Sequence, residues 1–250
     1  MRRRHQEALR GGSEVTYPIP IDDAHFPDAE FRDYISRNFD DDDDDKLSAE
    51  EIAAVKAIIV DQRRTLQTLK GIEYFTSLTK LQCSDCDLSG TLDFSTLKEL
   101  EELYCGGNGY DLTGLNLSSN EKLKILSCGS NNLQSLDLHN NKLLTEINCS
   151  SNSYLDELNI NGLTNLKKLD CSSTELNSLD VSTLSNLEEL DCSSTDLNSL
   201  DVSKLTKLKT LRCDSCQYLD TLDVSGLTEL TELSCSGSSY ARGLTELIFN

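Results

Sequence analysis

Eight cysteines recur along the chain at an almost constant interval. The gaps between them are 22, 23, 21, 22, 21, 21 and 22 residues, and each cysteine lies in the same local frame, as in LKKLDCSSTEL from Leu166. Periods of 20–50 residues are typical of solenoids and other repeat architectures. The repeat unit is therefore the feature that most constrains the fold. The eight residues are Cys83, Cys105, Cys128, Cys149, Cys171, Cys192, Cys213 and Cys235.

The frame matches the leucine-rich-repeat pattern L-x-x-L-x-L-x-x-N-x-L, with cysteine in the sixth place. A unit of 21–23 residues is too short to enclose its own core, so stacking buries its leucines while the backbone pairs in a parallel ladder. We predict a repeat solenoid, an α/β solenoid of mostly parallel β-structure, with short strands or turns on its convex side. It covers residues 66–250 as about eight units after an irregular first turn, and its last unit is expected to be truncated.

The sixth position predicts an inward side chain, because it alternates with exposed neighbours along a strand. Cysteine acts there as a small apolar filler. A disulfide framework is one alternative, but stacked parallel strands hold side chains about 4.8 Å apart, whereas bridged Cβ atoms lie about 3.8 Å apart. Zinc is another, since Cys83-x-x-Cys86 and Cys213-x-x-Cys216 have ligand spacing. These pairs are six units apart, and Cys86 and Cys216 occupy the ninth position of the frame, so packing is favoured.

The inward cysteine ladder resembles that of internalin J-like leucine-rich-repeat proteins of Gram-positive bacterial surfaces. The resemblance covers residues 66–250, and it implies a secreted or cell-surface binding scaffold without catalytic residues. Two departures stand out. The chain shows no sorting motif or wall-anchoring tail, and Thr174 and Thr195 replace the ninth-position asparagine. The asparagine hydrogen-bond ladder is therefore expected to be weaker or differently made in those two units.

Residues 18–65 do not share the repeat, and we predict there a small helical cap that covers one end of the solenoid. Terminal units need such a cap because their apolar end is otherwise exposed. The segment FPDAEFRDYISRNF carries apolar residues at helical spacing, and SAEEIAAVKAI predicts a second helix. Residues 1–17, which precede the cap, are expected to form a disordered tail.

The loop between these helices, DDDDDDKLSAEE, has the length and oxygen pattern of an EF-hand calcium loop. Leu47 falls at its eighth position, where EF-hands place a branched apolar residue. The segment resembles the EF-hand-like helical caps of bacterial surface repeat proteins, which implies Ca²⁺ in the cap. The candidate metal ligands are Asp40, Asp42, Asp44, the carbonyl of Lys46, Ser48 and Glu51.

Other interpretations of this loop stay open. Asp45 stands at the sixth position, where an EF-hand takes glycine. Ser48 and Glu51 also form a Ser-x-x-Glu capping box, which accounts for both residues without a metal. Consecutive aspartates are typical of a solvated loop as well. Asp42–Lys46 matches the recognition sequence of enteropeptidase, which leaves an engineered origin open.

The charge balance excludes some classes of partner. Asp and Glu number 43 against 23 Lys and Arg, a formal net charge of −20. Such a chain lacks the basic residues that release counterions from nucleic acid, and it is repelled by anionic lipid. No apolar run reaches the roughly 18 residues of a membrane span, so we predict no membrane insertion. The start, MRRRHQEALRGGSEV, has a basic end but no apolar core, so no signal peptide is predicted.

The side chains that flank the inward cysteines are predicted to face the concave surface of the solenoid. This face is polar, its charges alternate in sign, and Tyr104 and Ile125 are its apolar anchors. A protein or a glycan ligand is expected there, although a solvated face without a ligand fits equally well. The candidate contact residues are Glu102, Tyr104, Lys168, Asp170, Glu189, Asp191 and Arg212.

Catalysis is not predicted. None of the three histidines, His5, His25 and His139, pairs with a cysteine in the frame, and an inward cysteine without a base is a poor nucleophile. No glycine loop for phosphate binding is present in the sequence. We expect a non-catalytic binding or adhesion scaffold. A passive spacer for a missing effector domain and an intracellular protein-interaction scaffold are the alternatives.

Overall fold

The computed structural model describes residues 16–237 and 244–249, so residues 1–15 of the predicted tail lie outside the described residues. Asp28 caps the first helix by accepting hydrogen bonds from the N–H groups of Glu30 and Phe31. The first two strands pair antiparallel. These N-terminal elements are β1 (Ile19–Pro20), α1 (Ala29–Phe39), β2 (Lys46–Leu47) and α2 (Ala49–Ala54).

A nine-stranded parallel sheet follows, with one strand from each successive turn of the coil. The central residues of the strands are in register from Ile58 through Leu81 to Leu233. The repeat solenoid predicted from the cysteine spacing is confirmed. In spatial order the strands are β3 (Ala57–Ile59), β4 (Lys80–Gln82), β6 (Glu102–Tyr104), β8 (Ile125–Ser127), β10 (Glu146–Asn148), β12 (Lys168–Asp170), β13 (Glu189–Asp191), β14 (Thr210–Arg212) and β16 (Glu232–Ser234).

The other side of the coil carries short strands in three parallel pairs, as the length of the repeat unit predicts. The pairs are β5 (Gly90–Asp93) with β7 (Leu112–Asn116), β9 (Ser135–Asp137) with β11 (Glu157–Asn159), and β15 (Thr221–Asp223) with β17 (Glu246–Ile248). A 3₁₀ turn, Ile72–Tyr74, lies in the irregular first turn. In the described part of the chain, no helix has both the length and the apolarity to cross a membrane.

The interior of the coil is a stack of leucines and cysteines. Seven of the eight repeat cysteines are at most 4% exposed, and Cys235, in the last unit, is partly buried. None of the cysteines in the described residues forms a disulfide. The strand geometry thus directs the cysteine ladder into the core, as the alternation of the frame predicts.

Residues at the ninth position of the frame join successive units. Asn131 donates its side-chain amide to the carbonyl oxygens of Cys105 and Cys128, both at 2.9 Å. The thiol of Cys86 replaces an asparagine at this position, and it donates to the carbonyl oxygen of Val60 on the preceding turn at 3.1 Å. The repeat therefore explains the CxxC spacing, because the second cysteine takes the position of an asparagine and donates the same kind of hydrogen bond.

The first helix and the segment before it pack on the first turn of the coil through aromatic rings. The ring centroids of Phe26 and Phe39 lie 6.4 and 5.9 Å from that of Phe75. The hydroxyl of Tyr34 accepts a hydrogen bond from the N–H of Ile59 at 3.1 Å. These contacts bury the apolar face of α1 against the coil.

The second helix is shorter than the sequence predicts. It ends at Ala54, and Ala57–Ile59 form β3, which pairs with β4. The β-branched residues Ile58, Ile59 and Val60 favour an extended backbone, and the neighbouring strand supplies the hydrogen bonds. The parallel sheet consequently begins inside the segment that the sequence assigned to the cap.

Candidate functional site

The concave face of the parallel sheet contains a groove of about 390 Å³ that runs across β6, β8, β10, β12, β13 and β14. The residues beside each buried central residue point out of the sheet. Both of them line the groove in β8, β10, β12 and β13, whereas β6 and β14 each contribute one. Tyr104 and Ile125 lie at one end, and Asp191 and Arg212 lie at the other. A single repeated strand geometry thus positions every side chain of the site.

Six of the seven predicted contact residues line this groove: Tyr104, Lys168, Asp170, Glu189, Asp191 and Arg212. Glu102 does not line it. Its carboxylate accepts a hydrogen bond from the Tyr104 hydroxyl at 3.3 Å and pairs with Lys80 at 2.9 Å, while Lys80 lies 5.0 Å from the centroid of the Tyr104 ring. Glu102 therefore holds Tyr104 in place from the neighbouring position. The role of these residues in binding stays a prediction.

Sequence reasoning missed three polar residues of the groove, Ser127, Glu146 and Asn148. Glu146 and Asn148 flank the inward Ile147 in β10, as Lys168 and Asp170 flank Leu169 in the next strand. The frame carried the signal for them, because every unit places residues at these positions.

The two basic side chains of the groove each form a salt bridge with a glutamate on the neighbouring strand. Lys168 pairs with Glu189 at 2.9 Å, and Arg212 pairs with Glu232 at 2.6 Å. Lys168 donates a hydrogen bond to Glu189 and Arg212 donates one to Glu232, and these bonds raise the pKa of both basic groups. Because these pairs are solvent-exposed, they contribute little to folding stability.

Three carboxylates of the groove, those of Glu146, Asp170 and Asp191, form no ion pair within the described residues. Among residues 16–237 and 244–249, no Lys, Arg or His nitrogen lies within 4.0 Å of them. Asp170 accepts hydrogen bonds from the N–H and the hydroxyl of Ser172 at 3.1 and 2.7 Å, which fixes its carboxylate. With four acidic and two basic side chains, the lining of the groove has a net negative charge.

The acidic loop of the cap brings three predicted metal ligands together. Carboxylate oxygens of Asp40, Asp42 and Asp44 lie within 4.8 Å of one another. Repulsion from Asp44 raises the pKa of Asp42. Asp45 has a φ of 59°, so it adopts the left-handed conformation for which an EF-hand uses glycine. Because Ca²⁺ prefers hard oxygen donors on a tight loop, these residues fit the ion.

The other predicted ligands take part in hydrogen bonds and ion pairs of the cap. The carboxylate of Glu51 accepts the N–H groups of Ser48 and Asp41 at 2.7 and 2.8 Å, and the Ser48 hydroxyl accepts the N–H of Glu51 at 3.1 Å. The capping box is thus present. Lys46 pairs with Asp44 at 3.3 Å through its ammonium group. Calcium in this loop stays a prediction.

The thiols of the ladder are not poised for nucleophilic chemistry. Burial raises the pKa of Cys105 and of Cys149 to about 12, so neither forms a thiolate near neutral pH. The two described histidines, His25 and His139, pair with Asp22 and Asp137. The ladder thiols therefore behave as packing groups.

The fold is similar to solved leucine-rich-repeat structures. The functional domain of InlJ from Listeria monocytogenes, which includes a cysteine ladder, matches at 25% sequence identity with a TM-score of 0.59, over 90% of this chain and 62% of that one. Internalin C2 from Listeria monocytogenes matches at 19% identity with a TM-score of 0.56, over 89% of this chain and 97% of that one.

A plant receptor also shares the fold. The ectodomain of the receptor kinase GASSHO1/SCHENGEN3 from Arabidopsis thaliana, in complex with CASPARIAN STRIP INTEGRITY FACTOR 2, matches at 21% identity with a TM-score of 0.56. That match covers 67% of this chain and 22% of the receptor. No protein-family model matches the sequence, and no curated protein matches it significantly.

The likeness to InlJ extends from the fold to the cysteine ladder, and this chain spans less than two thirds of the length of the InlJ domain. The coarse function that these comparisons suggest is a protein-binding scaffold. The chain is a leucine-rich-repeat solenoid with a cysteine ladder, similar in fold to the internalins.

Proposed function

We propose that this chain is a non-catalytic binding module that takes a protein ligand on its concave face. The observation that carries the proposal is the convergence of Tyr104, Asp170, Asp191 and Arg212 on one groove of about 390 Å³. Tyr and Arg are the residue types that most often dominate binding energy at protein interfaces. Adhesion on a bacterial surface, or after secretion, is the setting that the likeness to InlJ supports.

The proposal is tested on a panel of immobilised extracellular proteins and glycans with Tyr104→Ala and Glu189→Lys variants. Tyr104 supplies an anchor, and Glu189→Lys reverses a charge in the groove. Glu121→Lys makes the same charge change in the exposed turn before β8, where Glu121 does not line the groove, and serves as the matched control.

We expect a protein of the panel to bind the wild type and the control, and to lose affinity for both groove variants. Retention of glycans alone, with the same sensitivity, would assign the face to sugars. If no member of the panel binds, a passive spacer is favoured. A ligand found only among intracellular proteins would support the intracellular scaffold.

We also propose a structural Ca²⁺ in the cap, held by Asp40, Asp42, Asp44, the Lys46 carbonyl, Ser48 and Glu51. The close approach of the first three carboxylates supports it, since a divalent cation would relieve their repulsion. The pairing of Leu47 with Ile19 also stiffens the loop, as a partner hand does in paired EF-hands. The ion would tie the end of α1 to the start of α2.

Thermal unfolding with and without millimolar Ca²⁺ tests this site. A ligand that binds only the folded state stabilises it by about 2.7 kcal/mol at a concentration one hundred times its Kd. We expect Ca²⁺ to raise the melting temperature of the wild type and of Asp43→Asn, a loop residue that is not a ligand, but not that of Asp42→Asn. An unchanged melting temperature of the wild type in millimolar Ca²⁺ would exclude the site.

A further inference from the structure

We infer that the concave groove recognises an extended, cationic segment of a protein partner, with an apolar side chain seated beside Tyr104 and Ile125 and a Lys or Arg seated on Asp170 and Asp191. The inference rests on the proposed function and adds the chemistry of the partner. Three features of the groove carry it: its unpaired charge, the order of its side chains, and the spacing of its strands.

The unpaired charge of the groove comes from Glu146, Asp170 and Asp191. Four acidic and two basic side chains line the groove, and both basic ones already have an acidic partner, Lys168 with Glu189 and Arg212 with Glu232. Asp191 is in register with Arg212, yet the guanidinium of Arg212 lies 2.6 Å from Glu232. Lys168 and Arg212 attract Glu146 and Asp191 from a distance, but no ion pair in the described residues engages these carboxylates, and the lining as a whole stays net negative. A cationic group of a ligand can therefore contact them directly.

The carboxylates of Asp170 and Asp191 are held in place before any ligand arrives. Each is half-buried and each accepts a hydrogen bond from the backbone N–H of the serine two residues later, Ser172 at 3.1 Å and Ser193 at 3.0 Å. A preorganised acceptor costs less conformational entropy on binding than a mobile one. The two residues are in register on adjacent strands, so one guanidinium or ammonium group can contact both.

The apolar end of the groove lies on the two strands that precede this acidic part. Tyr104 and Ile125 are half-buried residues of β6 and β8, and the Tyr104 side chain is held by Glu102 and Lys80. A fixed aromatic ring beside an aliphatic side chain is a suitable seat for an apolar residue of a ligand. The groove thus changes from apolar to acidic along one direction, which fixes the polarity of a bound chain.

The strand spacing sets the spacing of the motif in the partner. From Ile125 in β8, Asp170 is two strands away and Asp191 three strands away, which is about 10 and 14 Å at about 4.8 Å per strand. An extended peptide advances about 3.3 Å per residue. Because side chains alternate faces along an extended peptide, the basic residue of the partner segment lies about four positions from its apolar residue, on the same face.

The same features favour a peptide over a neutral glycan. A sugar hydroxyl can donate a hydrogen bond to the carboxylates of the groove, but a neutral sugar brings no positive charge to compensate them. A cationic side chain gains a charge-assisted hydrogen bond from each of them. The net charge of −20 also steers a basic partner toward the chain and repels nucleic acid.

A random-peptide display selection on the immobilised chain tests the inference. Selected peptides are synthesised and their affinities measured by fluorescence anisotropy for the wild type, the double variant Asp170→Asn with Asp191→Asn, Tyr104→Ala and the control Glu121→Gln. Asparagine keeps the size of aspartate and its acceptor oxygen for the serine N–H, so the double variant removes charge with little change in shape. A glycan array is run in parallel on the same proteins.

We expect enriched peptides that carry an apolar residue and a Lys or Arg about four positions apart. Their affinity should fall about tenfold for each aspartate removed, the loss of one charge-assisted hydrogen bond, and should weaken with salt. Tyr104→Ala should weaken the same peptides, and Glu121→Gln should not. These results together support the inference.

The contrary outcomes separate the inference from the proposed function. Selected peptides that lose affinity with Tyr104→Ala but lack basic residues, or ignore the double aspartate variant, overturn the cationic assignment and leave a concave binding face intact. Glycan binding that depends on Asp170 and Asp191, without any peptide, also overturns it. If no peptide is enriched and no glycan binds, or if every selected ligand ignores all groove variants, both the inference and the concave binding site are wrong.

Discussion

Asn131 joins two units of the solenoid, because its side-chain amide donates to the carbonyl oxygen of Cys105 on the preceding unit at 2.9 Å. It also donates to the carbonyl oxygen of Cys128 in its own unit, and its side-chain oxygen Oδ1 accepts the N–H of Asn108 at 2.8 Å. Thr174 has the same place in its unit but donates only to Cys171, in that unit, at 2.8 Å. The asparagine ladder is thus differently made at the threonines, as the sequence predicts.

Replacing Asn131 by alanine should therefore destabilise the chain more than replacing Thr174. Asn131→Ala leaves the buried N–H of Asn108 without a partner, which costs about 1–3 kcal/mol. It also removes one donor from the carbonyls of Cys105 and Cys128, which keep the side-chain amides of Asn108 and Asn152, and each of these two lost hydrogen bonds costs about 0.5–1.5 kcal/mol. We expect a loss of about 3 kcal/mol for Asn131→Ala and about 1 kcal/mol for Thr174→Ala, which removes one hydrogen bond. Chemical denaturation followed by circular dichroism measures both. Equal losses would show that the contact between units has little energetic weight.

The repeat cysteines should be protected from thiol reagents in the folded chain. Cys235 is partly exposed, whereas Cys105, Cys128, Cys149 and Cys171 are fully buried. Mass spectrometry after iodoacetamide treatment should find Cys235 labelled first and the buried cysteines labelled only in denaturant. Labelling of all of them without denaturant, or masses that show linked pairs, would contradict an interior thiol ladder.

The buried thiols also predict a loss of stability at alkaline pH. Burial raises the pKa of Cys105 from its ordinary value of 9.0 to about 12. Between these values the unfolded state releases a proton that the folded state retains, so the free energy of unfolding falls as pH rises. Each such thiol contributes at most about 1.4 kcal/mol per pH unit. Below pH 9 this contribution to stability is fully present.

Denaturation measured from pH 8 to pH 10.5 checks this slope. The Cys105→Ala variant should lose stability overall, because it leaves a small cavity, but its stability should fall less steeply with pH than that of the wild type. A comparison of slopes separates the titration from the cavity and from the tyrosines and lysines that both proteins share. Identical slopes would mean that Cys105 does not titrate upon unfolding.

The sequence predicts the inward column of the sheet residue by residue, since strand alternation leaves no other place for the sixth position. Cys171 and Cys192 are fully buried, and their neighbours Asp170 and Asp191 face the groove, as that alternation requires. The convex strands also follow from the length of the repeat unit. In these parts of the fold, the local sequence pattern and the tertiary packing both favour the same side-chain orientation.

Other features depend on contacts that a one-dimensional pattern does not contain. The apolar residues after Ala54 are compatible with a helix or a strand. They form a strand because they pair with β4. In the groove, Arg212 has acidic neighbours on both sides, and the reach of its side chain selects Glu232 over Asp191. The frame therefore predicts which residues face the groove, but not which charges remain unpaired.

The junction between the cap and the coil depends on Gly71. This residue has a φ of +103°, and a Cβ at its position would overlap the Phe26 ring and lie 2.8 Å from the carbonyl oxygen of His25. Phe26 is fully buried and packs against Phe75 of the coil, so it cannot move without opening the junction. Only a residue without a side chain fits this position.

Gly71→Ala should therefore destabilise the chain through two effects, the positive φ and the clash with Phe26. Gly90→Ala is the matched control, because Gly90 has a φ of +72° but no atom within 4 Å of its added Cβ. The left-handed conformation costs alanine about 1–2 kcal/mol at both positions. Overpacking should add about 1–3 kcal/mol at Gly71 alone. If the free energy of unfolding falls equally in the two variants, the Phe26 ring moves aside for the added methyl group. The packing of the cap on the coil would then be looser than its aromatic contacts indicate.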